Sequence, residues 1–446
     1  MNLTIGGFQR TWTRRRSAWS ARLILTTLLV GGMLSPTFSL AQDAGEPIEL
    51  LVWDQFTDPA ESDAVEAIYA GFTEQNPNVT IRRESFQTDQ MRDTIRTALA
   101  SGTGPDIIFY DSGPGYAGVL AEAELLRPLD ELAAQYGWDK RIAEAARQGA
   151  SIDGVLYGLP LQTDLIGMFY NKTLLDEQGY AVPETVAELA ALCQQASEAG
   201  SPSPIAFANN PGWQGFHQFS MTANATLGPA AVRSLLLENQ GSWDTPEVVA
   251  AIKTFFVDLP AAGCFSEDAN AIIYEDGNSL FYTGESLFHT TGSWLVGEIE
   301  INMPDAEIGF VPFPQIEGAA SRPWISGVGS SYYISAASPS QEAAGQFLEY
   351  LFSPETVRRW VEEASFFVPV QIETADLDVT PLFRSVLDTL SAPEAGTDFG
   401  YNVDVLAPQP FNDALQNGLQ ATLAGDQTPE GLAAELQAAW EASQTR

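Results

Sequence analysis

Residues 48–110 read IELLVWDQFTDPAESDAVEAIYAGFTEQNPNVTIRRESFQTDQMRDTIRTALASGTGPDIIFY, in which apolar runs of strand length alternate with helical patterns. The strand runs are Ile48 to Trp53, Val79 to Phe86 and Ile107 to Tyr110. Strands that alternate with helices predict a parallel sheet that is covered on both faces. Ligands bind such sheets beyond the carboxyl ends of the strands, so we expect a site in the loops after Trp53, Phe86 and Tyr110.

Two helices are predicted to connect these strands. The first should begin after Asp58 as N-cap, with Pro59 at its first position and Glu61 closing a capping box. Apolar residues recur with helical spacing on one face of each helix. These residues are Val65, Ile68, Tyr69 and Phe72 in the first helix and Met91, Ile95 and Leu99 in the second. Residues 48–110 are therefore predicted to form a βαβαβ unit.

The residues before this unit have the form of an export signal. Five arginines precede an apolar run from Leu23 to Leu34, and Ser39 and Ala41 stand where signal peptidase recognises small residues. We expect residues 1–41 to be a signal peptide, cleaved after Ala41, because the apolar run is too short to span a bilayer. The arginine pair matches a twin-arginine signal only weakly, so the export route stays open. No cysteine near the cleavage region could carry a lipid, so we expect a protein free in the periplasm or at the extracellular face.

The charge balance excludes one large class of partners. The chain has 21 Lys and Arg against 58 Asp and Glu, and removal of the predicted leader would take the net charge from −37 to −42. Nucleic-acid binding needs clustered basic residues that contact phosphates, so we expect no nucleic-acid partner. The simplest interpretation of the acidic excess is a well-solvated surface.

A second lobe is expected, because the mature chain is longer than one hydrophobic core usually supports. It is predicted to begin after residues 157–160, with a strand from Leu165 to Tyr170 and a helix whose capping box is formed by Thr185 and Glu188. Further elements are a strand over Ser331 to Ser335, a helix over Gln341 to Leu351, a helix begun by Ser353 and Pro354, and a last helix begun by Thr428 and Pro429 with Leu432, Leu436 and Trp440 on one face.

Short motifs follow one another along the mature chain: LVW at 51–53, ASGTGPD at 100–106, YGLP at 157–160 with FYNK at 169–172, GES at 284–286 with GSW at 292–294, EAA at 342–344 with FL at 347–348, SPE at 353–355 and TPE at 428–430. Each motif is weak alone. Together and in this order, they resemble the extracellular solute-binding proteins of family 1, which include the maltose-binding protein group, over nearly the whole mature chain.

The resemblance implies an α/β fold, the two-lobed periplasmic-binding-protein fold of type II, in which each lobe is a mainly parallel sheet flanked by helices and a hinge joins the lobes. The implied lobes are residues 46–160 with 327–368, and residues 161–326 with 369–446, with crossings near 158–163, 324–327 and 366–371. The implied function is that of the extracytoplasmic substrate-binding subunit of an ABC importer, which delivers a mono- or oligosaccharide to permease subunits. We expect a monomer without cofactor or metal.

Aromatic side chains are candidates for stacking on a sugar, whose rings have apolar faces. Trp294 lies in the GSW turn that the resemblance places at the ligand, although a core tryptophan would fit the same position. Trp213 lies in a turn-rich segment, where a large aromatic residue has less reason to pack. Trp324 stands at the second predicted crossing, where packing at the hinge is the slightly favoured interpretation. Tyr116 and Tyr401 are further candidates.

Polar residues after the predicted strands are candidates for hydrogen bonds to sugar hydroxyl groups. Asp54, Gln87 and Asp111 follow the first three strands, and Asp164 lies beside the first crossing. Carboxylates can accept two hydroxyl bonds each, which suits a polyol. Aspartate also favours turns, so the three aspartates are equally consistent with turn formation. Asn209 is a weaker candidate.

The sequence lacks the local motifs of several common enzyme classes. The sequence contains no G-x-S-x-G, P-loop, H-E-x-x-H or C-x-x-C motif. A secreted glycosidase stays an open alternative, since two carboxylates brought together by folding leave no local mark. A cationic or polyol solute would also suit the acidic candidates. His217 and His289 are the only histidines and are interpreted as structural or rim residues.

The two cysteines, Cys193 and Cys264, leave two readings open. An exported protein meets oxidising surroundings, which favour a disulfide. Cys193 also lies on an apolar helical stripe, where a free cysteine behaves as a small buried apolar residue. Nothing in the sequence decides between them.

Overall fold

Two β-sheets frame the part of the chain that the computed structural model describes, residues 46–200, 203–266, 268–319, 321–391 and 399–444. The predicted signal peptide lies outside these residues. In chain order the strands are β1 (Ile48–Asp54), β2 (Val79–Ser85), β3 (Ile107–Asp111), β4 (Ser151–Ile152), β5 (Val155–Leu156), β6 (Gly158–Pro160), β7 (Thr163–Asn171), β8 (Ile205–Ala206), β9 (Phe288–Gly292), β10 (Ile308–Val311), β11 (Trp324–Val328), β12 (Ser330–Ile334) and β13 (Phe399–Tyr401).

Helices connect and cover these strands. In chain order they are α1 (Pro59–Gln75), α2 (Thr88–Ala100), α3 (Ala117–Glu122), α4 (Asp130–Tyr136), α5 (Trp138–Arg141), α6 (Glu144–Gly149), α7 (Lys172–Gln178), α8 (Val186–Glu198), α9 (Trp213–Leu227), α10 (Pro229–Glu238), α11 (Pro246–Lys253), α12 (Leu259–Ala261), α13 (Tyr274–Tyr282), α14 (Val296–Asn302), α15 (Gln341–Leu351), α16 (Pro354–Ala364), α17 (Pro381–Ser391), α18 (Gln409–Ala424) and α19 (Pro429–Gln444). A π-helical turn over Thr254–Asp258 joins α11 to α12.

The first sheet has the strand order β2-β1-β3-β12-β6. Strand β1 runs parallel to β2, with Ile48 opposite Val79, and parallel to β3, with Val52 opposite Ile107. The predicted βαβαβ unit is thereby confirmed. Helix α1 buries the apolar face predicted for it against the core of this sheet. We call this sheet and the helices packed on it the first lobe.

The second sheet has the order β13-β11-β7-β9-β8, with β10 also paired to β7. Strand β7 forms its centre, because it pairs with β9 along one edge and with β11 and then β10 along the other. The helices of the long middle segment and the last two helices surround a core that includes Phe219, Trp243 and Trp440. We call this sheet and its helices the second lobe.

Both sheets are more mixed in direction than the mainly parallel arrangement expected. In the first sheet β12 is antiparallel to β3 and β6, and in the second β7 is antiparallel to β9, β10 and β11. The reason lies in the connections between the lobes. Strand β6 continues into β7 through Leu161 and Gln162, and β11 continues into β12 through Gly329, so strands that arrive from the other lobe run against the βαβ direction.

Helix starts agree with their sequence signals in most positions. The capping box of α8 is formed, since the Glu188 backbone N–H donates to the Thr185 hydroxyl and the Thr185 N–H donates to the Glu188 carboxylate, both at 3.2 Å. The capping box predicted for α1 is wrong. Asp58 is the N-cap and Pro59 begins the helix, but the Asp58 side chain makes no capping hydrogen bond. Asp58 and Glu61 instead line the cavity between the lobes.

Cys193 and Cys264 form a disulfide within the second lobe, with their Cα atoms 4.7 Å apart. This resolves the choice that the sequence left open. The bond closes a loop with a sequence separation of 71 residues. A cross-link of that span stabilises a fold by about 4 kcal/mol when its effect is counted as lost entropy of the unfolded chain.

Among the described residues, no helix combines the length and the apolar character that a membrane span requires.

Candidate ligand-binding site

A cavity of about 190 Å³ lies between the two lobes. The first lobe contributes the loops after β1, β2 and β3, and the second lobe contributes β7, α9, α13, α14 and the segment after β13. The first-lobe lining consists of Gln55, Phe56, Thr57, Asp58, Glu61, Gln87, Thr88, Arg92, Phe109, Asp111 and Gln162. The remaining lining consists of Asp164, Trp213, His217, Tyr274, Glu275, Asn278, Trp294, Leu295, Glu298, Gly329, Ser330, Asn402, Asp404 and Val405.

Four rings of the second lobe form one wall of this cavity, and we call Trp213, His217, Tyr274 and Trp294 the aromatic cluster. The Trp213 ring lies 4.8 Å from the Tyr274 ring and 5.4 Å from the His217 ring, and the His217 ring lies 5.1 Å from that of Trp294. The Trp294 indole N–H donates to the Tyr274 hydroxyl at 2.7 Å. Contacts among rings from α9, α13 and the end of β9 hold the cluster in place, so flat aromatic surface is available without prior rearrangement.

Gly292, which has no side chain, leaves the space that the Trp294 ring occupies. The indole lies so close to the backbone of Gly292 that a Cβ atom there would stand 1.8 Å from the ring. The backbone of Gly292 has φ −105° and ψ 168°, an extended conformation open to any residue. Position 292 therefore favours glycine because of the indole.

Opposite this wall, the first lobe presents an ion pair. Arg92 donates from Nε to Asp111 Oδ2 at 3.0 Å and from Nη2 to Oδ1 at 2.9 Å. The guanidinium carbon also lies 4.6 Å from the centre of the Tyr116 ring. A bidentate pair of this kind fixes both side chains, and leaves Asp111 a rigid acceptor at the cavity surface.

Asp164 lies at the start of β7 and is only 5% exposed. The Ser293 hydroxyl donates to its Oδ1 at 2.9 Å, and no basic group among the described residues pairs with it. Burial raises the pKa of Asp164 to about 7, although the Ser293 hydrogen bond acts in the opposite direction. A buried carboxylate without a cation costs stability, which is typical of functional sites.

Asp404, after β13, is 3% exposed. The Tyr116 hydroxyl donates to its Oδ2 at 3.3 Å, a contact between the two lobes, while its Oδ1 has no hydrogen-bond partner among the described residues. Burial raises the pKa of Asp404 to about 6, and the charge of Arg92 partly offsets this effect. The carboxylate thus has a free acceptor site at the cavity.

Three more carboxylates face one another across the cavity. Asp58 and Glu61 belong to the start of α1, and Glu298 belongs to α14 of the second lobe. Burial raises the pKa of Glu61 well above its usual value, and the negative charges of Asp58 and Glu298 raise it further. Burial also raises the pKa of Asp58 and Glu298. Like charges from both lobes therefore meet at this edge of the cavity.

Five of the residues singled out from the sequence line this cavity: Trp294, Trp213, Asp111, Asp164 and Gln87. Trp213 is the first residue of α9, which follows Gly212 at φ +123°. Gln87 is exposed and occupies the N-cap position of α2, where its side chain makes no capping hydrogen bond.

Asp54 and Trp324 lie elsewhere. Asp54 is fully buried below the cavity, where Arg83 donates to both of its carboxylate oxygens, at 2.6 and 3.0 Å, and Ser85 donates at 2.9 Å. Its acceptor capacity is used inside the first lobe, so it is not offered to a ligand. Trp324 packs against the Phe310 ring at 5.0 Å on the second sheet. Its position agrees with the packing interpretation.

Tyr116, Tyr401 and Asn209 also lie outside the lining of this cavity. Tyr116 acts behind it, between Arg92 and Asp404. Asn209 is buried and donates to Asn270 at 2.8 Å. Tyr401 lines a second cavity of about 980 Å³ beside the crossing segments. The lining of that cavity is mainly apolar and includes none of the four rings of the aromatic cluster and none of the carboxylates that line the cavity between the lobes, so we place the ligand site in the latter.

The sequence reasoning missed Arg92, Tyr274 and Asp404 and gave His217 only a structural or rim role. Arg92 lies within α2, two turns beyond the end of β2, and Tyr274 is the first residue of α13, far along the chain from any strand of the described residues. Neither position carries the strand-end signal on which the sequence candidates depended. Asp404 follows a strand of only three residues, which has no clear periodicity. Burial, and then the charge of Arg92, lower the pKa of His217 to about 3, so its imidazole is neutral. Among the described residues, no group of His, Cys, Asp or Glu is arranged to hold a metal ion.

Comparisons with known proteins identify chains of similar sequence and fold. The chain is 24% identical over 326 residues to the multiple sugar-binding protein of Streptococcus mutans, covering 69% of this chain and 73% of that one. It is 24% identical over 400 residues to the alpha-glucosides-binding periplasmic protein AglE of Rhizobium meliloti, covering 84% and 83%. A solved solute-binding protein of Thermotoga lettingae, bound with alpha-D-tagatose, superposes with a TM-score of 0.76 at 22% identity, over 88% of this chain and 99% of that one.

These likenesses extend over both lobes, and the solved structure establishes the two-lobed fold. A family model described as bacterial extracellular solute-binding protein matches residues 67–381, well over half of the chain. The chain therefore belongs to the family of bacterial extracellular solute-binding proteins.

Proposed function

We propose that this protein is the extracytoplasmic substrate-binding subunit of an ABC importer and that it holds a carbohydrate in the cavity between its lobes. The observation that carries the proposal is the pairing of an aromatic wall in one lobe with buried acceptors on both sides of the cavity. A sugar ring has apolar C–H faces and a rim of hydroxyl groups, and it needs both kinds of surface at once.

Each residue then has a distinct role. Trp294 and Trp213 stack on the sugar faces, since their rings line the cavity within the aromatic cluster. Asp111 and Asp164 accept hydroxyl hydrogen bonds, and Gln87 contributes an amide at the rim. Arg92 positions Asp111 through its bidentate contact. This division gives complementary parts of the ligand to different lobes, so binding and hinge closure are coupled.

Known relatives support the carbohydrate assignment. The names of two of them describe binding of multiple sugars and of alpha-glucosides, and the solved neighbour is bound with alpha-D-tagatose. Identities of 22–24% leave the particular sugar open to experiment.

The proposed role as a binding subunit has consequences for export, oligomeric state and partners. We propose that the leader is cleaved after Ala41, that the mature protein carries no lipid, and that it acts as a monomer which docks on permease subunits. Its lobes are proposed to comprise residues 46–160 with 327–368, and residues 161–326 with 369–446. The strongly acidic chain supports the proposal that nucleic acid is not a partner.

The test is a thermal-shift screen of the mature protein against sugars, polyols and polyamines, followed by calorimetry on each hit. A ligand that binds only the folded state raises the melting temperature by mass action. We expect hits among the sugars and no reducing ends released from glycosides on prolonged incubation. Hits confined to polyamines would contradict the carbohydrate assignment, and turnover would contradict the assignment as a binding protein.

A further inference from the structure

The lining of the cavity between the lobes has more acidic than basic side chains. Its lining holds seven carboxylates, those of Asp58, Glu61, Asp111, Asp164, Glu275, Glu298 and Asp404. Of the described lining residues, Arg92 alone carries a permanent positive charge, and both of its donor contacts here go to Asp111. Six lining carboxylates thus remain without a basic group in contact among the described residues.

Two buried side chains of the cavity lining have a polar atom without a hydrogen-bond partner among the described residues. Asp404 is 3% exposed and its Oδ1 accepts no hydrogen bond, and His217 is 6% exposed with no partner for its Nδ1, among the residues that the structure describes. Both side chains line the cavity. A neutral imidazole cannot balance the carboxylates, and an acceptor left bare in a buried site is costly unless a ligand donor completes it.

The aromatic cluster independently favours a cation. Trp213 and Trp294 line the same cavity, and a ligand cation close to the face of such a ring is attracted by the ring quadrupole. A neutral sugar would use the rings and some acceptors, but would leave the six carboxylates uncompensated. A ligand ammonium group would interact with the rings, provide a donor for the bare oxygen of Asp404 and offset one of the negative charges.

We propose that the ligand is a saccharide that carries a protonated amino group, and that Asp404 Oδ1 accepts a hydrogen bond from this ammonium. The inference rests on the proposed carbohydrate function and narrows its ligand class. A positive charge in the cavity also offsets part of the repulsion among the lining carboxylates, which come from both lobes. A charged ligand thereby favours the closed arrangement more than a neutral one of the same shape.

The experiment compares ligands that differ only in the amino group. Calorimetry is run with glucose, glucosamine and N-acetylglucosamine, with galactose and galactosamine, and with cellobiose, the chitosan-derived disaccharide and its N-acetylated form. Spermidine serves as a cation without a sugar ring. We expect the amine of at least one set to bind about tenfold or more tightly than its neutral counterpart, as a charge-assisted hydrogen bond implies.

Variants then locate the effect. Asp404→Asn keeps the shape of the side chain and removes its charge, so we expect the amine-to-neutral affinity ratio to fall about tenfold. Glu275→Gln, at a half-buried lining position, should lower the same ratio and guards against a folding defect in the first variant. Asp426→Asn alters an exposed carboxylate outside the cavity and should leave the ratio unchanged.

The outcomes separate the two proposals. Neutral or N-acetylated sugars that bind as tightly as the amines in every set would overturn this inference and leave the carbohydrate function standing. An unchanged ratio in both folded lining variants would overturn the assignment of the ammonium to this cavity. Binding of spermidine without any saccharide, or of nothing in the panel, would overturn the carbohydrate function itself.

Discussion

Replacing Asp164 with asparagine changes how the stability of this protein depends on pH. The wild-type carboxyl group is buried in the second lobe, receives one hydrogen bond from Ser293 and has no ion-pair partner among the described residues. Asparagine keeps the shape and an acceptor for Ser293, but it binds no proton. The comparison therefore isolates the ionisation of one buried group.

The size of the effect follows from the pKa of Asp164. Its usual value of 3.8 rises to about 7 in the folded protein, so the folded state holds the proton more tightly than the unfolded state does. Unfolding then releases a proton between those two pH values, and the stability of the wild type falls as pH rises through this window. Each tenfold difference in proton affinity corresponds to about 1.4 kcal/mol, which gives about 4 kcal/mol over the whole window.

Urea denaturation of the ligand-free proteins at about pH 4 and about pH 8 measures this difference. We expect the unfolding free energy of Asp164→Asn, relative to wild type, to be higher at the upper pH than at the lower by about 2–4 kcal/mol. Asp426→Asn, an exposed position, should show no such change. A relative stability of Asp164→Asn that is the same at both pH values would refute the reasoning.

Four further predictions concern the site, the disulfide and processing. Trp294→Ala should weaken sugar binding about tenfold or more while circular dichroism shows an intact fold, and equal affinity would contradict the stacking role. Gly292→Ala should weaken binding in the same direction, because its methyl group would stand 1.8 Å from the Trp294 ring and displace it; crystal structures of the variant would show whether the ring has moved. Thiol counting under denaturing, non-reducing conditions should find no free thiol, and replacing Cys193 and Cys264 with serine should lower the unfolding free energy by about 4 kcal/mol; two free thiols would contradict the bond. Intact-mass measurement of the exported protein should find a chain that begins after Ala41, and a mass that retains the leader or includes a lipid would contradict the processing proposal.

Much of the fold could be predicted because its signals are local. The strand runs of 48–110, the capping box at Thr185 and the apolar faces of α1 and α19 each lie within a few turns of chain, and each appears in the structure. The direction of β12 and β7 could not be read in this way, because it depends on how the chain passes from one lobe to the other.

The site was less predictable, because its residues meet only through tertiary structure. Asp54 and Asp111 both stand at the ends of first-lobe strands. Arg83 on the neighbouring strand β2 donates to both carboxylate oxygens of Asp54, so Asp54 is paired inside the lobe and does not line the cavity. Asp58 and Glu61 have the spacing of a capping box, yet the cleft uses them as lining carboxylates. His217 becomes part of the site through ring contacts with Trp213 and Trp294, which no spacing of the sequence reveals.

The disulfide lies wholly within the second lobe. It therefore makes that lobe more rigid without restricting the bending of the hinge. Cys193 and Cys264 both belong to the core that carries α9, whereas the chain passes between the lobes at Leu161 and Gln162, at Gly329, and again after α16 ends at Ala364. Hinge bending therefore needs no change in the cross-linked region. Because such a bond persists only in oxidising surroundings, the second lobe reaches its full rigidity in an oxidising compartment. In a chain retained in a reducing cytoplasm, the hinge would be the same but the second lobe, without its disulfide, would be less rigid.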